Sequence, residues 1–171
     1  NYKLVFGTVW PAYELRSEIL LGAFDKTEIE TRLQQVLDHL APEYEISYRH
    51  DAAVIYKFFA LALADVAMMT DSPGQWIQKI ESKILNRRYV QNNFIRLRLA
   101  ERALGLPKAH AESLRLMNEV REALDKDPGS SSEHIDYLIQ CCRIADKIDP
   151  SAARYYFQLA INAASEVDEE A

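Results

Sequence analysis

Glycine and proline are scarce in this chain, five and six in 171 residues. That excludes sandwiches and barrels, whose many short strands need a turn residue every few positions. Cysteine is scarcer still. The two present, Cys141 and Cys142, are adjacent, and neighbours on a helix diverge by about 100°, so a structural disulfide between them is ruled out and a reducing, cytoplasmic setting is expected. Long apolar runs are missing too. The nearest to one, Ala52 to Met69, contains Lys57 and Asp65, so it reads as a helix buried in protein and not as a membrane span. Glycine-rich phosphate loops, a G-x-S-x-G turn and a Cys/His nucleophile pair are likewise absent, which argues against an enzyme and against a bound cofactor.

What is abundant is material for helices. Apolar residues make up 49% of the chain and charged residues 27%, and Ala, Leu, Glu, Arg and Ile dominate, as long helices with short connections require. Start signals recur. Pro11 is placed at a first helical position leading into 12–23. Asp25 with Glu28 forms a capping-box pattern before 27–40, Asp51 opens a helix through Met69, and Ser72-Pro73 opens 75–88. Phe94–Leu104 and Lys108–Leu124 follow, joined by Gly105-Leu106-Pro107 and expected to lie antiparallel. The stretch 127–132, rich in serine, is a loop before the last hairpin, 133–148 and 151–167, in which Asp149 caps and Pro150 starts the second helix. Leu4-Val5-Phe6 fits a strand or the end of a helix equally well.

Within that last hairpin, Ala153, Phe157 and Ala160 stand at the A-x-x-x-F-x-x-A spacing and resemble the second helix of a tetratricopeptide repeat. The same resemblance places Tyr137 at the family's first aromatic position, Cys141 at its small position and Ile144 at a later apolar one. Gln140 stands where a leucine is usual, and Ser165 replaces the closing proline. The match covers about one repeat. It implies an all-α fold of antiparallel hairpins stacked as a superhelix over 1–171, a single helical-repeat domain within a larger protein. A closed helical bundle is the alternative. Three consecutive aromatics, Tyr155, Tyr156 and Phe157, span about 200° of helix, so they cannot all face one core.

Charge is unevenly distributed. The net charge is −6, yet residues 79–108 carry Lys79, Lys83, Arg87, Arg88, Arg96, Arg98, Arg102 and Lys108 against only Glu81 and Glu101. Lys79, Lys83 and Arg87 recur every four residues along one helix face. Two readings compete: a patch that attracts an acidic protein or peptide, or long side chains that solvate a helix and pair with acidic neighbours. Nucleic acid ranks below both, because no binding motif surrounds Tyr89 and the chain as a whole is acidic. The histidines, His39, His50, His110 and His134, are widely separated and give no ligand pair for a metal. A protein- or peptide-binding module is therefore expected. A structural, homo-oligomerising helical domain is the competing class.

Overall fold

A computed structural model describes the backbone of residues 2–22, 24–40, 49–85, 92–126 and 131–169, and within these the side chains of 9–22, 24–40, 55–85, 92–126 and 132–165. Among the described residues the fold is all-helical, with eight α-helices and no strand. They are α1 (Tyr2–Leu20), α2 (Lys26–Asp38), α3 (Arg49–Ala67), α4 (Pro73–Ile84), α5 (Asn92–Ala103), α6 (His110–Lys126), α7 (Ser131–Ala145) and α8 (Pro150–Glu169), with a 3-10 turn at Pro107–Ala109. Packing divides the chain into two compact units, 1–95 and 96–171, so that the division falls inside α5.

In the first unit α1 packs on α3, α3 on α4, and α2 on both α1 and α3. Heptad-like spacing supplies the core: Ile29, Leu33 and Leu37 of α2 recur every four residues and all are buried, as are Trp76, Ile77, Ile80 and Ile84 of α4. Each fully buried Leu or Ile contributes about 1.5–3 kcal/mol of hydrophobic stabilisation. Lys57 and Asp65, the charges within the apolar part of α3, both find partners. Arg16 Nε donates to Asp65 Oδ2 at 2.7 Å, tying α1 to α3, and the Lys57 ammonium lies 4.9 Å from the Phe94 ring centroid.

A constant interval links α2 to the second half of this unit. Lys26 pairs with Asp71, and Lys79 Nζ donates to Gln34 Oε1 at 3.5 Å, both contacts spanning 45 residues. Lys83 faces Asp38 at 3.6 Å with the same offset. A fixed offset means that α2 and α4 run in the same direction with matched positions. The helix lengths agree: α1 and α3 have 19 residues each, α2 has 13 and α4 has 12.

In the second unit, Ser113 Oγ donates to the Ala100 carbonyl at 2.9 Å, and Arg96 Nε meets Glu119 Oε2 at 3.1 Å. Positions rising in α6 meet positions falling in α5, the signature of an antiparallel pair, as expected from the short Gly105-Leu106-Pro107 connection. The helices α7 and α8 pack closely on each other. Asp149 caps α8 by accepting from the Ser151 amide at 2.8 Å and from its hydroxyl at 2.8 Å. These bonds hold its carboxyl below the usual carboxylate range.

Several boundaries differ from those read in the sequence. Pro11 lies inside α1, not at its start. Its missing N–H removes one bond to the preceding turn, but Val9, Ala12, Leu15 and Ile19 are buried on either side of it, and this packing carries the helix through. The segment Leu4-Val5-Phe6 is accordingly helical. Ser72 makes no side-chain capping bond, whereas Asp25 accepts from the Glu28 amide at 2.9 Å as the capping pattern requires. The helix α4 ends at Ile84, ahead of the expected 88. Ser131 and Ser132, read as loop, open α7, and the rest of that loop, 127–130, lies outside the described residues.

Two adjacent phenylalanines test this packing. Phe59 is 1% exposed and Phe58 is 42% exposed. Phe59→Ala is expected to lose about 3–5 kcal/mol in urea unfolding, and Phe58→Ala less than about 1 kcal/mol.

Candidate functional site

The basic segment is shared between the two units. In the first, Lys79 is exposed, but its ammonium lies 3.9 Å from the Trp76 ring centroid one turn back and is also bonded to Gln34. Gln34 Nε2 in turn donates to Asp38 Oδ1 at 3.0 Å, and Asp38 is the partner of Lys83. The two lysines thus sit on a polar ladder along α2. Arg87 and Arg88, together with Tyr89, lie outside the described residues.

In the second unit, Arg96 belongs to a chain of charges. It pairs with Glu119, Glu119 pairs with Arg115, and Arg115 Nε donates to Glu112 Oε1 at 2.9 Å. Glu112 is only 7% exposed; burying a lone carboxylate would be costly, and the guanidinium offsets that cost. Arg98 pairs with Glu101 at 2.5 Å, one turn along the same helix. Arg102 and Lys108 are exposed. Lys79, Lys83, Arg96 and Arg98 therefore already have partners within their own units, and exposed pairs of this kind are each worth about 0–1 kcal/mol.

The residues carrying the tetratricopeptide resemblance fall in two groups. Cys141, Ile144, Ala153 and Ala160 are buried, and Tyr137 is half-buried with its hydroxyl donating to Glu133 Oε1 at 3.0 Å. Burial and the Glu133 carboxylate push the Tyr137 phenol up to about 12. Burial pushes the Cys141 thiol up to about 12 as well, so it stays protonated and packs as a small apolar group. Phe157 is the correction. It is 57% exposed, while Tyr156 is 2% exposed and donates to Asn118 Oδ1 on α6 at 2.9 Å. The buried stripe of α8 is therefore Ala153, Tyr156 and Ala160, with Tyr156 in the place expected for Phe157. Tyr156 fits because its ring fills the core while its hydroxyl reaches a partner.

Phe157, Ile161 and Ala164 consequently form an exposed apolar flank beside that stripe, with Ile161 42% exposed. A second exposed stripe lies on α1 and the turn that follows it: Trp10 is 57%, Tyr13 36%, Leu20 56% and Leu21 85% exposed. The sequence conceals it as long as Pro11 is taken to begin the helix; a helical wheel drawn through Pro11 places these side chains together, opposite Ala12, Leu15 and Ile19. Among the described residues no group of His, Cys, Asp or Glu is placed to hold a metal ion, and no described helix is long and apolar enough to cross a membrane.

Among the described residues one buried polar atom stands out. Gln140 Oε1 is buried without a hydrogen-bond partner, at the position where the repeat pattern has leucine. An unsatisfied buried group destabilises by about 1–3 kcal/mol, so Gln140→Leu is expected to raise stability by about 1–2 kcal/mol in urea unfolding, and a loss would show that the amide is satisfied in solution. No family model, curated protein or solved structure matches the chain significantly.

Proposed function

We propose that this chain is a non-catalytic helical-repeat module that binds a protein or peptide, its hairpins stacked in the manner of a tetratricopeptide-type superhelix. The observation that carries the reading is the 45-residue interval relating Lys26 to Asp71 and Gln34 to Lys79, and again Asp38 to Lys83. An interval near 45 residues between parallel, matched helices is what successive helical hairpins of an α-solenoid produce, since one hairpin cannot bury its apolar stripe alone and stacks on the next. It is longer than the roughly 34 residues of a tetratricopeptide unit. The equal lengths of α1 and α3, and the near-equal lengths of α2 and α4, support it.

Such modules recognise partners by shape and a few anchoring side chains rather than by a reacting group. The exposed aromatic and aliphatic side chains on α1 and α8 are anchors of the favoured kind. The basic segment contributes less than its charge count implies, because Lys79, Lys83, Arg96 and Arg98 among its described members have partners already. An acidic partner would have to displace Asp38 and Glu119 to use them.

The test is co-purification from cells of the source organism, with the tagged chain compared against Lys79→Glu/Lys83→Glu and Phe157→Asp variants of confirmed helicity. Proteins retained by the unmodified chain and by the lysine variant but lost with Phe157→Asp are the expected result. Recovery of nothing but the chain itself would contradict a binding module.

A further inference from the structure

The exposed stripes on α1 and α8 are complementary, and we propose that they bind each other between copies, so that α8 of one chain docks antiparallel on α1 of the next. The inference rests on the stacked-hairpin reading, because it continues between chains the helix-on-helix stacking seen within one.

Three features select a second copy as the occupant. The first is shape. Ser17 lies at the centre of the α1 stripe and is small, with Tyr13 and Leu20 one turn away on either side and Leu21 beside them; it leaves a notch for one large side chain. Phe157, more than half exposed, is such a side chain.

The second is register. When antiparallel helices place Phe157 opposite Ser17, Ile161 comes opposite Tyr13 and Ala164 opposite Trp10. One alignment therefore sets large against small at both ends and apolar against apolar between them, as close helix packing requires. All six positions lie on solvent-exposed surface.

The third is charge. Arg154 lies at the edge of the α8 flank and is exposed; Glu18 lies at the corresponding edge of the α1 stripe and is partly exposed. In an antiparallel pair, like edges fall on the same side, and this register brings Arg154 within about one turn of Glu18. Among the described residues neither makes an ion pair within the chain. Because the two faces differ, the contact is heterologous and propagates head to tail, in contrast to a closed two-fold dimer.

Sedimentation velocity over a concentration series distinguishes this assembly. The unmodified chain is expected to show a mass that rises with concentration. Phe157→Asp blocks the α8 face and Ser17→Arg fills the α1 notch; both positions are exposed, and circular dichroism checks that each variant stays helical. Each alone is expected to be monomeric, yet an equimolar mixture of the two is expected to form a dimer and nothing larger, because each retains the face the other lacks. Arg154→Glu and Glu18→Arg are each expected to weaken association about 2- to 5-fold, and their combination to restore it.

A monomeric unmodified chain at every concentration would overturn the proposal, and so would oligomers that survive either blocking variant or a mixture that stays monomeric. Partner capture with a monomeric chain would leave the binding-module reading standing and this inference refuted. Oligomers that form without any captured partner would do the reverse.

Discussion

Close approach between helices is the constraint from which the other features of these units follow. Small residues recur among the buried positions of each unit: Ala60, Ala62, Ala64 and Ala67 on α3, Ala100 and Ala103 on α5, Cys141 and Ala145 on α7, Ala153 and Ala160 on α8. A small residue lets one backbone move toward its neighbour, and the larger side chains around it then interdigitate at interior density. Tyr56, Phe59, Leu63 and Ile77, each 1% exposed or less, fill the space beside such positions.

Charge is arranged around that packing and does not drive it. Lysines and arginines of the basic segment meet an aromatic face along their own helix or a carboxylate on the next, as Lys79 does over Trp76 and Arg96 does with Glu119. Such pairs add little stability where they are exposed, with side chains 45% and 54% exposed for Lys83 and Asp38. What they add is register: the 45-residue offset of α2 and α4 is written in Lys26–Asp71, Lys79–Gln34 and Lys83–Asp38. The more buried Arg16–Asp65 bond does the same for α1 and α3.

Much of this was legible in the sequence and some was not, for identifiable reasons. The α4 core face, Trp76, Ile77, Ile80 and Ile84, was readable from three- and four-residue spacing because the period of the helix is local. The caps at Asp25 and Asp149 were readable because capping chemistry is local too. Pro11 misled, since propensity treats proline as a helix start and only tertiary burial of Val9, Ala12 and Leu15 shows that the helix runs through it. Phe157 misled for a related reason: the spacing A-x-x-x-F-x-x-A fits either aromatic at this turn nearly as well, and the choice of Tyr156 depends on Asn118 of α6 standing where its hydroxyl can reach. Gln34 as a partner of Lys79, and Glu119 as the partner of Arg96, were invisible because they lie on other helices, and pairing across helices leaves no periodic trace in either segment.

The measurement that bears most directly on close packing is the unfolding free energy of Ala64→Leu, at a position that is 0% exposed, set beside Ala111→Leu on the exposed side of α6. If small residues hold the helices together, the first loses about 1–3 kcal/mol through overpacking, and the second stays within about 0.5 kcal/mol of the unmodified chain. Equal stability of the two variants would contradict the account, because a contact that accepts leucine without loss is not closely packed.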